Sequence, residues 1–380
     1  MLARNLVVIA FLAQVLASAA RSEELKREVE QALPKSIGAC VLAIDGGEVV
    51  FKEGFGLADV ESRDPCTPAT NFRMASVSKQ FTALAVMLLV DRGQLALDDT
   101  LDEFFSGGPK YWDKITVEQL LTHTSGLPDY ENLIPEGTTL QLDDMDVVRM
   151  LLDADEPLFQ PGAQWQYSNS AFVVLGMIVE IAAERPFHEF MADEIFRPLE
   201  MNDTLLYQRG LNEVAHRAFG HEWKDERWVR ADQSVTSATR GDGVVYTSLE
   251  DYEKWLRSLV FPVRGVSDAD NADHHAAASA SETPRTIVEV LTPESHRAIF
   301  SPQEKTTRGD SHYGYGWFID EYRGERRIHH NGDSRGFRIC SQTFPDRRAA
   351  VLLQFNSEVD EDMTKVGQRL ADILIFDREE

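Results

Sequence analysis

The sequence predicts an α+β fold: a five-stranded antiparallel sheet built from both termini and flanked by helices, with a mostly helical domain inserted. Three observations predict it. Strand-like runs occur near the start of the chain and again near its end. The stretch between them, from about Thr100 to Arg240, carries helical patterns and loops. An amphipathic helical pattern lies outside the strands at each end, able to cover the sheet. With 380 residues, 43% of them hydrophobic, the chain can bury a large core in one big domain or two closely packed ones.

Taken in order, residues 1–19 read as an export signal. Arg4 gives a short positive start, Leu6 to Leu16 an apolar run, and Ala17-Ser18-Ala19 a small-residue cleavage site. No later segment is long and apolar enough to span a bilayer, so no stable membrane insertion is expected after signal removal. The expected destination is a periplasm or the outside of the cell.

Glu23 to Leu33 reads as an amphipathic helix. Gly38 to Asp45 and Glu48 to Gly54 read as strands joined by a tight turn at Gly46-Gly47. Ser76 opens a helix through Phe81, Leu84, Leu88 and Val90 that Gly93 ends. Thr116 with Gln119 forms a capping box, and Ala171 to Ala183 and Asp251 to Val260 read as helices. Val263 to Arg285, rich in Ala, Ser and Asp, reads as a flexible surface insertion. Its His274 and His275 lack the Cys or carboxylate spacing of a metal site. Tyr315 to Tyr322, Arg326 to His330, Phe337 to Phe344 and Ala349 to Phe355 read as strands, with turns at Arg323-Gly324 and Pro345-Asp346. Met363 to Phe376 reads as a closing helix. The folded domain is thus expected over 22–376, its sheet half at about 22–75 and 290–376 and its helical half at about 80–260.

A net charge of -25 disfavours nucleic acid and anionic membrane surfaces as partners. Three cysteines, Cys40, Cys66 and Cys340, are too few for a disulfide framework, and buried thiols are expected at Cys40 and Cys340.

The chemistry centres on Ser76-Val77-Ser78-Lys79. Positions i and i+3 share a helix face, so the Lys79 amine can reach the Ser76 hydroxyl. A serine is a poor nucleophile until a base takes its proton, and a desolvated lysine can be that base. At a helix start the backbone N–H groups and the dipole also suit an oxyanion. On local sequence alone Ser76 reads equally as a helix cap. Tyr167-Ser168-Asn169 follows the turn signal Gln160-Pro161-Gly162, in a loop able to project side chains into a cleft. Tyrosine needs positive neighbours to act as a base near neutral pH, and Lys79 is a candidate. Taken alone, Tyr167 reads as packing and Asn169 as a cap. His330-Asn331-Gly332 reads as the end of a strand entering a turn, where glycine allows close approach of a substrate.

Together these elements resemble the serine β-lactamase and penicillin-binding-protein superfamily, above all its class C branch of carboxypeptidases, D-aminopeptidases and β-lactamase-like esterases. The resemblance runs from Ile37 to Phe376. It includes Leu120-Leu121-Thr122-His123-Thr124-Ser125-Gly126-Leu127, Gly241-Asp242-Gly243 and Tyr313-Gly314-Tyr315-Gly316-Trp317. It implies a β-lactamase/transpeptidase-like fold and an acyl-enzyme on Ser76, with proton transfer shared by Lys79 and Tyr167. Asn169 would position the substrate amide and Lys79. His330, Asn331, Gly332 and Asp333 would line or support the cleft, with the backbone N–H groups of Ser76 and Asp333 as the oxyanion hole. It implies no metal and no organic cofactor.

One departure matters. The β-lactamase pattern has Lys-Thr-Gly where this chain has His-Asn-Gly. Histidine is mostly uncharged at neutral pH, so weaker recognition of anionic substrates is expected. Arg335 and Arg338 are candidates to replace the lost charge. His123 reads as structural support under the cleft. The reading is an exported serine hydrolase of a small ester, amide or peptide, with a D-stereospecific peptidase, a carboxypeptidase or a true β-lactamase as alternatives. A penicillin-binding sensor or non-catalytic module is the alternative of another class. Sequence leaves the oligomeric state open.

Overall fold

The structure, a computed structural model, describes residues 21–259 and 291–377. The leader expected over 1–19 and the insertion expected over 263–285 lie outside the described residues.

Strands β1 (Gly38–Asp45) and β2 (Glu48–Gly56) form a hairpin across Gly46-Gly47. Both glycines take positive φ, 60° and 89°, which no Cβ opposes. Short strands β3 (Phe72–Arg73), β4 (Leu205–Leu206), β5 (His221–Lys224), β6 (Arg227–Arg230) and β7 (Val245–Thr247) follow. The chain then returns through β8 (Glu304–Lys305), β9 (His312–Tyr313), β10 (Phe318–Tyr322), β11 (Glu325–Ser334), β12 (Phe337–Phe344) and β13 (Ala349–Phe355). The main sheet runs β2-β1-β13-β12-β11-β10-β9-β8, antiparallel throughout.

The expected five strands are therefore corrected to an 8-stranded sheet. Two of the extra strands, β8 and β9, have two residues each, too few to show an alternating pattern. A second correction concerns β11. It does not end at His330 but continues through Asn331, Gly332 and Asp333 to Ser334, and turns only at Arg335-Gly336.

Period-2 alternation on β1 explains how the sheet joins two cores. Cys40, Leu42 and Ile44 face one apolar cluster, shared with Phe81 and Leu84 of the Lys79–Asp91 helix and Phe172 and Val174 of the Asn169–Ala182 helix. Ala39, Val41 and Ala43 face the other, shared with Val29 of helix 21–32 and Val366 and Leu370 of the Met363–Ala371 helix. β1 and β13 are buried on both faces, as a central strand between two helical layers must be. The helical half supplies one wall of the site, and β11 supplies the other.

Candidate active site

Ser76 sits where β3 runs into the Lys79–Asp91 helix. Met74 N–H is anchored on the Val245 carbonyl at 2.8 Å. Ala75 then adopts φ 47°, a left-handed conformation that costs an alanine free energy and recurs at functional turns. A 3-10 turn over Ala75–Ser78 leads into the helix, with no side-chain cap at its start. Ser76 is therefore not serving as the cap. Its Oγ accepts a hydrogen bond from Lys79 Nζ at 3.2 Å.

Lys79 is fully buried. Besides Ser76, its Nζ donates to Asn169 Oδ1 at 2.8 Å and to the Asp242 carbonyl at 3.0 Å. Three acceptors match the three N–H donors of an ammonium. Asn169 is free for this contact because Ser168 caps the Asn169–Ala182 helix, accepting from the Ala171 N–H at 3.1 Å. The Asn169 amide also donates to Glu131 Oε1 at 3.2 Å. The Asp242 loop is pinned from below. Thr82 Oγ1 donates to the Gly241 carbonyl at 2.6 Å, and a Cβ on Gly241 would overlap the Phe172 carbonyl. Burial raises the carboxyl pKa of Asp242 and of Glu131, and the nearby Lys79 charge opposes both shifts.

Tyr167 lies beside this centre, with Lys79 Nζ 5.0 Å from its ring centroid. Its buried hydroxyl has no hydrogen-bond partner among the described residues. The ring is packed by His123 at 4.4 Å and lies parallel to Phe318 at 6.4 Å. The exposed Arg308 guanidinium lies 5.4 Å from the Tyr167 centroid and 4.8 Å from that of Phe318.

β11 places its four candidate residues differently. His330 is buried, with Nδ1 2.6 Å from the Asn331 carbonyl and Nε2 3.3 Å from the Tyr313 hydroxyl. A carbonyl can only accept, so Nδ1 carries the proton and Tyr313 O–H donates to Nε2. Burial, reinforced by Lys79, pushes the His330 pKa well below its ordinary value, so the ring is neutral. It turns into the aromatic cluster with Tyr313 and Phe318. Gly332 corrects an expectation. A Cβ there would overlap the Met74 carbonyl, so this glycine lets β11 pack on the Ser76 turn. The Asn331 amide points to the other side and donates to Thr364 Oγ1 at 2.8 Å. Asp333 pairs with Arg338 at 2.9 Å. Arg338 is engaged by that pair; Arg335 pairs with Glu222 at 3.4 Å and also lines the cavity over Ser76. The arginine over Tyr167 is Arg308, not Arg335 or Arg338.

This small cavity, of about 70 Å³, has Arg73, Glu131, Asn169, Asp242, Asp333 and Arg335 among the residues lining it. No group of three or more His, Cys, Asp or Glu side chains among the described residues is arranged to hold a metal. Sequence reasoning missed Glu131 and Arg308, which have no motif of their own, and met Tyr313 only as the start of Tyr313-Gly314-Tyr315-Gly316-Trp317, with no role assigned. It singled out Gly241-Asp242-Gly243 but saw no role for the Asp242 carbonyl.

Comparisons with known proteins agree with this architecture. The profile of the Beta-lactamase family matches residues 27–375. Penicillin-binding protein 4* of Bacillus subtilis (strain 168) is 27% identical over 372 residues, 92% of this chain and 76% of that protein. Protein flp of Staphylococcus aureus (strain MW2) is 27% identical over 327 residues, 84% of this chain but 60% of that one. The octameric penicillin-binding protein homologue from Pyrococcus abyssi superposes with a TM-score of 0.76 at 24% identity, covering 94% of this chain and 77% of that one. The D-amino acid amidase from Ochrobactrum anthropi SV3 complexed with L-phenylalanine gives 0.72 at 20%, covering 92% and 96%. At these identities the structural likeness is one of fold.

Proposed function

The chain belongs to the beta-lactamase family, within the serine β-lactamase and penicillin-binding-protein superfamily, and from that premise we propose that it hydrolyses an amide or ester bond through an acyl-enzyme on Ser76. The observation that carries this reading is the buried Lys79 amine, which joins Ser76 Oγ to Asn169 and the Asp242 loop.

Ser76 Oγ attacks the substrate carbonyl carbon as its proton passes to Tyr167, which this step requires to enter as phenolate and leaves as phenol. The Lys79 cation beside both groups balances the phenolate charge before the transfer and the charge that develops on Ser76 Oγ during it. The carbonyl oxygen becomes an oxyanion against the backbone N–H groups of Ser76 and Asp333, a contact worth about 3 kcal/mol per donor. Collapse breaks the C–N or C–O bond, and Tyr167 returns the proton to the leaving amine or alcohol. Tyr167 then takes a proton from water. The water oxygen attacks the Ser76 ester, the acid departs, and Oγ regains its proton.

Substrate charge follows from the walls. The neutral, inward-turned His330 offers no cation where the β-lactamase pattern has lysine. Glu131, Asp242 and Asp333 line the cavity together with Arg73 and Arg335, so its walls carry both signs. The missing cation at position 330 favours neutral acyl groups over anionic β-lactams. The amidase neighbour supports the amide side of this reading. Arg308 favours a second reading, a carboxypeptidase whose substrate carboxylate meets that guanidinium, since no carboxylate pairs with it among the described residues. Export, from the leader pattern over residues 1–19, belongs to the same proposal and is checked by sequencing the N-terminus of the exported protein.

The test is turnover of a short-chain p-nitrophenyl ester, an amino-acid amide, a peptide with a free C-terminus and a chromogenic cephalosporin. Ester and amide turnover lost in Ser76→Ala, with slow cephalosporin turnover, is the expected result. Fast cephalosporin turnover would make the protein a β-lactamase. A preference for the peptide that Arg308→Ala abolishes would establish the second reading.

A further inference from the structure

We propose that His123 is the positioning residue for Tyr167. The inference rests on the reading of Tyr167 as the proton shuttle.

His123 follows the Val117–Leu121 helix and takes φ 60°, a left-handed conformation uncommon for a residue with a side chain. It is fully buried. That conformation aims two acceptors at one short segment. The His123 carbonyl accepts the Gln166 N–H at 2.9 Å, and its ring Nδ1 accepts the Ser168 N–H at 3.1 Å. Gln166 and Ser168 are the residues on either side of Tyr167, so one residue clamps the backbone both before and after it. The same ring packs on Tyr167 at 4.4 Å and on Tyr313, the partner of His330, at 4.5 Å.

Two demands meet at this position, and among simple replacements none satisfies both. The site needs an acceptor for a buried backbone N–H, because an unpaired one is costly. It also needs a flat group to fill the space between Tyr167, Phe172, Trp165 and Tyr313. Phenylalanine fills the space but leaves the Ser168 N–H without a partner. Asparagine keeps an acceptor close to the Nδ1 position and tolerates positive φ, but fills less. The two variants therefore separate acceptor from volume.

The loss expected on freeing the Tyr167 backbone is in turnover rather than in substrate binding. A misplacement near 1 Å of a reacting group can cost about a hundredfold. The experiment is steady-state and burst kinetics on the p-nitrophenyl ester for His123→Asn, His123→Phe, Tyr167→Phe and the double variant His123→Phe/Tyr167→Phe, with thermal melts alongside. We expect His123→Phe to lower kcat by about a hundredfold with little change in KM, and His123→Asn to keep most of it. Introducing His123→Phe into Tyr167→Phe is expected to cost nothing further, because both changes act through one hydroxyl. Turnover kept in His123→Phe but lost in His123→Asn would show that the ring is there for volume, and would overturn the proposal. Fully additive losses in the double variant would overturn it as well. If Ser76→Ala is inactive but Tyr167→Phe is not impaired, the serine reading stands and the positioning of Tyr167 falls. If Ser76→Ala is fully active, the reading beneath both falls. Should His123→Phe fail to fold, His123→Asn and Tyr167→Phe still decide the matter. Both variants folded, with the asparagine variant as impaired as the tyrosine one, would overturn the proposal.

Discussion

At the scale of single residues, His330 shows how one side chain sets the charge of a cleft and the acid stability of the fold together. Burial, reinforced by Lys79, His329 and Arg308, holds its imidazole neutral, with its pKa well below 6.5. In the unfolded chain it titrates near 6.5. As pH falls below that value the unfolded chain gains a proton that the folded one refuses until the depressed pKa is reached. Stability therefore drops across that window. His123, depressed by burial and by Lys79, adds a slope of the same sign. Asp144, pushed up to about 6 by burial, has the opposite sign, so the comparison must be between variants. Between pH 7 and pH 5 the melting temperature of the natural sequence should fall further than that of His330→Gln. Parallel falls in the two proteins would mean that His330 is not held neutral. The contact of Lys79 with Ser76 was legible in the sequence, because side-chain type and i, i+3 spacing carry it, whereas that of Lys79 with Asn169 was implied only by the family resemblance. The Asp242 contact was not, since the acceptor is a backbone oxygen 163 residues from Lys79.

At the scale of elements, strands and helices with a full period of apolar residues were legible. β1, β12 and β13 keep the bounds their alternation implies, and Thr116 with Gln119 forms the capping box their spacing predicts. Edge strands of two residues were not, because their pairing is decided by neighbours rather than by their own pattern. The course of β11 past His330 was hidden for a related reason. Polar residues and a glycine look like a turn, yet they continue the strand because Gly332 must lie flat against the Met74 carbonyl and the Ala75 side chain. This contact fixes the distance between β11 and the Ser76 turn. Gly332→Ala should therefore cost a few kcal/mol, in the range of overpacked cores, and lower ester turnover with it. Chemical denaturation and kinetics on the same preparation check this. An alanine variant as stable and as active as the parent would show that β11 can shift freely.

At the scale of the whole molecule, the site exists only where the main sheet meets the helices packed on it, and buried charge holds the helical side in place. The Asp144–Leu152 helix carries Asp144 inward at its first turn. Its carboxylate accepts the Arg240 N–H at 2.8 Å and Arg240 Nε at 2.5 Å, while Arg240 also pairs with Glu180 at 3.0 Å. Arg240 begins the Arg240–Gly243 segment whose Asp242 carbonyl accepts from Lys79, so a helix remote from Ser76 holds one of the three acceptors of the catalytic candidate. Such a pair is not strong evidence of stability as built, because desolvation offsets much of the attraction, but removing one partner strands the other. Asp144→Ala leaves Arg240 and its backbone N–H without their main acceptor. It should destabilise the fold by about 3–5 kcal/mol. In the fraction that remains folded, turnover should also fall, because the Asp242 carbonyl is no longer held against Lys79. Denaturant midpoints give the first quantity. Turnover per folded molecule, counted by active-site acylation, gives the second. A large stability loss with turnover per folded molecule unchanged would mean that the Asp242 loop keeps its place without Asp144. The coupling between the two halves would then run through Lys79 and the apolar core alone.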